Sequence, residues 1–449
     1  MPAHSLPDRT ARAALAAHFS AGQLAGDLTE YTPAEVWERR VQGDGSGLLS
    51  SYRPREELAQ AELTCPFIIP SDDEWPTALA DLGPACPLGL WVRGRERLAR
   101  LTASAVAVTG NRVPTEQAVT RAHDFAAALA EAGHTIAATL AYGVDSTAHQ
   151  AAAETGRASL AVLPRGLDGA HPHTHAPLLR SVLDNGGAAA SLYRPGTAAS
   201  GATLKASAVV LAALARAVIL VKALDHVPAM HAAETAVGLK RPLLAAPASG
   251  DARSSGNARR IDKQLAVNRA DLHLALALPH ARVARAGDVA DGDLLLAAVG
   301  EGGAAYFVTP YIGHPEPFDP SCGCGVCCLI TAPGEVVVLS QGDPWESCDP
   351  WPADDRLLIV SAQRLTDRPF KECLPPCLPR RTCRRCPASV PTTTWTLSST
   401  GVPAPTPRPT SPRCSPPRTP RGSTSTAPPS STWPPAPSGP KPRSWPTSS

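Results

Sequence analysis

The sequence predicts an α/β fold, a Rossmann-like doubly wound parallel sheet at the centre of the chain. A small helical domain precedes it; a small β-rich C-terminal unit and a disordered tail follow. Two observations carry the prediction. Between Leu101 and Arg285 short apolar runs alternate with helix-length connections at roughly 25-residue intervals. The runs are apolar on both faces, and connections long enough for a crossover helix imply parallel strands covered on both sides, with right-handed crossovers. Aromatic residues make up 4% of the chain, so such cores must be built mainly from Ala, Val and Leu.

In chain order, residues 1–100 begin with helical patterns over Arg9–His18 and Pro33–Val41. They then pass through Phe67–Pro70 and Leu88–Arg93, read as a linker subdomain. Strands are expected at Ala105–Thr109, Thr135–Thr139, Ser159–Leu163, Ala188–Leu192, Ala217–Val221 and Pro242–Ala246. The connection Val113–Ala132 places Ala118, Val119, Ala122, Phe125, Ala126 and Leu129 on one face at helical spacing. Residues 286–370 read as an acidic β-rich unit with strands at Ala304–Thr309, Val336–Ser340 and Leu357–Val360, between Gly/Pro/Asp turns. Residues 371–449 hold 21 of the 48 prolines, and the last 77 residues have no Asp or Glu, a composition that predicts disorder. With three tryptophans in such a tail, a shifted reading frame of the gene competes with a basic tether; sequencing the gene would separate them.

The formal charge of +2 is a cancellation. By segment it is −4 over 1–100, +6 over 101–285, −10 over 286–372 and +10 over 373–449. No apolar run reaches the roughly 18 residues a spanning helix needs, and Met1–Ala21 lacks the pattern of a secretory signal, so a cytoplasmic protein away from membranes is expected. Ten of the twelve cysteines lie beyond residue 320, which is no disulfide framework through the globular part.

Three glycine-bearing turns follow successive strands: Thr109-Gly110-Asn111-Arg112, Ala141-Tyr142-Gly143-Val144-Asp145 and Pro164-Arg165-Gly166. In an open parallel sheet they share the carboxyl edge, beside helix N-termini, where anions bind. Gly110 would let the backbone approach a phosphate, and Arg112 and Arg165 would pair with it. The competing reading is that each glycine simply makes a tight turn. G-x-G-x-x-G, P-loop and G-x-S-x-G patterns are absent, which argues against dinucleotide, Walker-type and serine-hydrolase chemistry, and no cofactor is expected. Asp145 and His149, four apart, are a candidate acid/base pair or a cap and a packing residue. His171, His173 and His175 alternate around a proline and read as an exposed loop rather than a metal site. Cys322, Cys324, Cys327 and Cys328, with Cys348 or the Cys383/Cys386 pair, are a weak candidate zinc group.

An ordered series of motifs is similar to the DNA-processing protein A family (DprA, also called Smf). Pro66–Pro76, then Leu90-Trp91-Val92-Arg93-Gly94, resembles its D-x-x-[YW]-P stretch and following strand. Val106–Thr115 resembles V-A-I-V-G-[ST]-R-x-x-T, Ala141–His149 resembles A-x-G-I-D-x-x-A-H, and Ala161–Asp168 resembles A-V-L-x-x-G-[LV]-D, with Arg194-Pro195-Gly196-Thr197 after it. The resemblance covers about residues 10–270. It implies a Rossmann-like, usually dimeric protein that is no enzyme, binds single-stranded DNA and loads a RecA-type recombinase during DNA uptake and natural transformation. Carried over, the phosphate contacts are Gly110 and Arg112, with Gly143 at the adjacent turn. The family's cationic R-N-R-x-I-A-x-L-[ST] corresponds here to Ser207–Ala215, where both arginines are lost and Lys205 is the nearest cation.

The sequence therefore predicts a single-stranded DNA binder, weakened or repurposed. Its expected contacts are Gly110, Asn111, Arg112, Gly143, Arg165, Gly166 and Lys205, with Tyr142 and Tyr193 as the nearest aromatics for base stacking. The alternatives are a nucleotide sensor or phosphoribohydrolase-like protein of the same superfamily fold, or a remnant that binds neither. The hydrolase signature P-G-G-x-G-T-x-x-E is incomplete at Arg194–Thr197.

Overall fold

The structure, a computed structural model, describes residues 6–247, 254–262, 272–319, 321, 335–340 and 349–365. The tail beyond 370, the cysteine group Cys322–Cys328 and the Cys383/Cys386 pair lie outside the described residues.

Five helices open the chain: α1 (Asp8–His18), α2 (Ala21–Glu30), α3 (Pro33–Gln42), α4 (Leu48–Ser51) and α5 (Pro54–Glu62). Their starts are written locally. Thr32 and Glu35 form a reciprocal capping box with Pro33 at the first helical position of α3, and Ser20 pairs with Gln23 ahead of α2. Leu15, Leu24, Val36 and Trp37 pack together beneath them. Arg9 on α1 pairs bidentately with Asp72 at 2.8 Å and so fastens the module to the strands that follow.

Those strands are β1 (Phe67–Ile68) and β2 (Leu90–Arg93), and they form no separate subdomain. They pair antiparallel with each other, and β2 pairs antiparallel with β6 (Ala188–Ser191), so both extend the central sheet across the boundary expected at residue 100. After α6 (Arg95–Thr102) the βα repetition runs as expected through β3 (Ala105–Thr109), α7 (Glu116–Glu131), β4 (Thr135–Ala138), α8 (Val144–Glu154), β5 (Ser159–Leu163), α9 (Ala176–Asp184) and β6. It continues with α10 (Gly201–Leu214), β7 (Ala217–Leu220), α11 (Pro228–Gly238) and β8 (Leu243–Ala245). Every one of these strands is buried throughout, as two covered faces require. One expectation fails on α7: Val119 is exposed, because the buried stripe runs through Ala118, Ala122, Phe125, Ala126, Leu129 and Ala130 and leaves Val119 at its flank.

The strand order is β1-β2-β6-β5-β4-β3-β7-β8, with all pairs from β6 to β8 parallel. The chain winds outward from β3 through β6, then returns to the other side of β3 to lay down β7 and β8. The direction therefore reverses between β3 and β7, and a crevice opens at the carboxyl ends of those two strands.

Two short helices, α12 (Ser255–Asp262) and α13 (Leu272–Ala277), lead to the β-rich unit. Its four-stranded sheet has the order β11-β10-β15-β9, from β9 (Arg282–Arg285), β10 (Leu294–Gly300), β11 (Gly303–Ile312) and β15 (Arg356–Val360). Between these in sequence, β12 (His314–Pro317), β13 (Val336–Ser340) and β14 (Pro350–Pro352) make a three-stranded sheet. Arg282–Arg285, read in the sequence as the end of the central domain, is an edge strand of this unit. The unit also shares the main core: the buried Tyr306 hydroxyl donates to the Arg241 carbonyl and accepts from Leu243 N–H at 2.8 Å, at the start of β8.

Candidate functional site

The three glycine turns meet at the carboxyl edge, and the structure shows why each is glycine. A Cβ on Gly110 would stand 2.5 Å from the Lys222 carbonyl oxygen and 2.9 Å from Val144. One on Gly143 would stand 2.4 Å from the Asn111 carbonyl oxygen and 2.6 Å from Pro114, at φ +81°, ψ −125°, where L-residues are strained. One on Gly166 would stand 2.3 Å from the Arg194 carbonyl oxygen. The glycines let each turn nest against the next loop. Their first use is to build the edge, and a ligand approaching it would meet the surface they create.

Asp145 locks two of these turns together from beneath. It is buried; its Oδ1 accepts from Thr109 Oγ1 (3.0 Å) and Gly110 N–H (3.3 Å), and its Oδ2 accepts from the Thr139 N–H (3.1 Å) and hydroxyl (2.5 Å). Burial pushes its carboxyl up to about 6 against the pull of those four donors. His149, also buried, shares a 2.9 Å hydrogen bond between its Nδ1 and Ser159 Oγ, and burial lowers it to about 4. Each residue has its own partners. The acid/base pair that the four-residue spacing allowed is not formed, and Asp145 is a clamp.

Asn111 is drawn into the same scaffold. It is 3% exposed, its Oδ1 accepts from Leu224 N–H at 2.9 Å, and its own N–H donates to the Lys222 carbonyl at 2.7 Å. The side chain expected to meet a phosphate instead ties the loop after β3 to the loop after β7. Between those loops lies a cleft of about 390 Å³ at the reversal point of the sheet. Gly110, Arg112 and Val113 form one wall, Leu224, His226 and Val227 the other, and Leu204, Ala208 and Leu211 of α10 close it. The sequence did not place the loop from Leu224 beside the Gly110 turn, because strand order is not legible there.

The predicted cations fare unequally. Arg112 is exposed at the mouth of the cleft and makes no hydrogen bond or ion pair among the described residues. Arg165 is held by Asp168 at 2.9 Å, so its charge is partly matched, and Asp168 also accepts from Gly196 N–H. Lys205 is exposed on α10, next to the cleft-lining Leu204. The stretch expected to have lost its cations, Ser207–Ala215, is packed inward: Ser207 donates to the Leu163 carbonyl at 3.1 Å, and Leu211–Ala215 are buried. Tyr142 is 46% exposed, with its hydroxyl 2.6 Å from that of Thr174 and its ring edge-on to His175 at 4.6 Å. Tyr193 is elsewhere, lining a groove with His18 and Phe19 of the N-terminal module. Of the three loop histidines, His175 bonds the Leu140 carbonyl, and burial, helped by the field of Arg112 and Arg165, lowers His171. No group of three metal-ligating side chains occurs among the described residues.

Residues 66–273 match the family described as DNA recombination-mediator protein A. Over that stretch the chain is similar to the DNA-processing protein A family. A putative DNA processing protein DprA of Mycobacterium tuberculosis is 32% identical over 255 residues, covering 53% of this chain and 65% of the relative. Protein Smf of Escherichia coli is 38% identical over 128 residues, covering 28% of this chain and 33% of its own length. The chain thus spans just under two thirds of the first of these DprA relatives. Among solved structures, DprA of Streptococcus pneumoniae is similar at 26% identity and a TM-score of 0.46, covering 57% of this chain and 87% of that one. DprA of Helicobacter pylori, described for its single-stranded DNA binding mode, is similar at 23% identity and a TM-score of 0.42, covering 46% and 93%. The family stretch begins at Pro66, just before β1 and β2, and closes on α13; it encloses the whole eight-stranded sheet. No described helix is long and apolar enough to cross a membrane.

Proposed function

We propose that the protein binds single-stranded DNA along the carboxyl edge of its central sheet and serves DNA recombination as a DprA-type mediator without catalytic turnover. The observation that carries this reading is the cleft at the reversal point between β3 and β7, with Arg112, unpaired among the described residues, at its mouth. A rigid, glycine-nested edge fixes where a phosphate can approach, and a free guanidinium gives it a bidentate partner. Binding is weak for the family. Arg165 is tied to Asp168, and the inward face of Ser207–Ala215 offers no cation, which leaves Arg112 and Lys205. Tyr142 is the one aromatic among the named residues placed to stack a base, so sequence preference is slight. Recombinase loading, a homodimer and a cytoplasmic setting belong to the same proposal on family grounds.

The test is fluorescence anisotropy with a labelled oligothymidylate across a salt series. Wild type is expected to bind at low salt, and Arg112→Ala to weaken binding and flatten the salt slope by about 0.7, one phosphate contact on a single strand. No binding at low salt overturns the reading. The largely apolar cleft of about 390 Å³ favours a second reading, a nucleotide seated there with its phosphate on Arg112. Calorimetry with nucleoside monophosphates distinguishes the two.

A further inference from the structure

The sheet has a second edge. At the amino ends of its parallel strands stand Arg157 before β5, His134 before β4, Arg100 before β3, Arg216 before β7 and Lys240 before β8. Because the strands run in the order β5-β4-β3-β7-β8, residues scattered in sequence line up in space. At about 4.8 Å per strand the row spans about 20 Å. It opens into two clefts, one of about 280 Å³ lined by Arg100, His134 and Arg157, and one of about 600 Å³ lined by Arg216, Lys240 and Arg282. The rings of His134, in the smaller cleft, and His280 lie 5.4 Å apart, both in the field of Arg216.

Helix C-termini gather at this edge, and their carbonyls account for part of the charge. Buried Arg241 donates to the carbonyls of Ala212, Ala213 and Ala215 at the end of α10 and pairs with Asp81 at 3.0 Å. Arg216 donates to the carbonyls of Ala103 and Pro279. The side chains of Arg100, Arg157 and Lys240 make no hydrogen bond or ion pair among the described residues, and there the Arg282 side chain donates only to the Ser361 hydroxyl at 3.3 Å. The acids nearby are Asp81, taken by Arg241, with Asp73 at the larger cleft and Glu131 at the end of α7. Cations spread along a row, rather than converging on a point, fit a polymer better than a small anion. The exposed large apolar residues are Leu48, Leu63, Val113, Val119 and Tyr142, none of which lines either cleft, so the apolar anchors of a protein partner are missing among the described residues.

We propose that the amino edge is a second nucleic-acid tract, on which Arg157, Arg100, Arg216, Lys240 and Arg282 take the phosphodiester backbone of a single strand. It stands independently of the carboxyl-edge reading.

The experiment uses the full chain with a 40-nucleotide oligothymidylate, comparing wild type, the triple variant Arg100→Gln/Arg157→Gln/Lys240→Gln, and Arg112→Ala across a salt series. The triple variant is expected to lose at least tenfold in affinity at low salt and to flatten the slope by about 2, from three lost contacts. Arg100→Lys/Arg157→Lys, which keeps the charge, is expected to bind like wild type; binding as weak as the triple variant's would mean packing rather than charge and overturn the proposal. Wild-type affinity and slope in the triple variant overturn it too. Polyglutamate bound tighter than the oligonucleotide by wild type, and lost in the triple variant, overturns it in favour of an acidic protein. Loss in the triple variant with Arg112→Ala unchanged supports this tract and sinks the carboxyl-edge reading; the reverse pattern sinks this tract alone.

Discussion

The two edges of the central sheet use the same residue type for different physical reasons. At the amino edge Gly133, Gly156 and Gly186 follow α7, α8 and α9 with positive φ, and an added Cβ on any of them would meet nothing within 4 Å. They are there for conformation, ending helices in the left-handed region. At the carboxyl edge Gly110, Gly143 and Gly166 are there for space, because backbone from another loop occupies the volume of the missing side chain. Charge follows the same division. Apart from Arg112, the crowded edge pairs or buries much of its charge, in Asp145, Asp168 and Arg165, whereas the open edge, beside the buried Arg241–Asp81 pair, leaves the side chains of Arg100, Arg157 and Lys240 unpaired among the described residues. A shaped edge can fix where a ligand sits; an open one can mainly attract.

The widest expected difference between the edges comes from adding one methyl group to each. Gly143→Ala forces a Cβ into the Asn111 carbonyl at a backbone conformation reserved for glycine, and should cost about 3 kcal/mol or more. Gly133→Ala, with open space around it, should cost about 1 kcal/mol from φ alone. Urea unfolding of both variants measures the gap; equal costs would break the comparison.

A smaller effect lies in pH. Asp145 rises from 3.8 to about 6 on folding, so between those values the folded state holds the proton and acidification stabilises. His149 falls from 6.5 to about 4, so over nearly the same range the unfolded state holds the proton and acidification destabilises. The two contributions oppose each other and leave little net slope between pH 4 and 6. Removing one should expose the other: His149→Gln should gain stability relative to wild type as pH falls from 6 to 4, and Asp145→Asn should lose it from 6.5 to 4. Melting midpoints across that range check both signs. The smallest effect concerns Arg165. Asp168→Asn weakens the ion pair that restrains its guanidinium, and should raise oligonucleotide affinity at low salt a few-fold, with a slightly steeper salt slope.

Much of the central sheet was legible because its signals are local. Runs such as Ala105–Thr109 and Ser159–Leu163 are apolar on both faces, and the glycines after them mark the strand ends. The site was half legible. The sequence put Gly110, Gly143 and Gly166 on one edge but not the reason for them, since the atoms that crowd them belong to Lys222, Asn111 and Arg194. Asn111 read as a phosphate contact because nothing local says that Leu224 needs an acceptor. The amino-edge cations went unnoticed because each stands alone in its loop. A basic residue shortly before β3, β5, β7 and β8 is the signal that finds them.

The hydrogen bond from Leu224 to Asn111 closes a separation of 113 residues. Chain of that length costs entropy to bring together and orders late. On a ribosome, β3 and its glycine turn emerge and can pair with β4 long before β7 exists. One wall of the cleft therefore waits for the other through most of the synthesis of the domain. The carboxyl-edge cleft is among the last features of the central sheet that the growing chain can assemble, and a chain stopped before β7 would carry Arg112 and Gly110 but have no cleft for them to border.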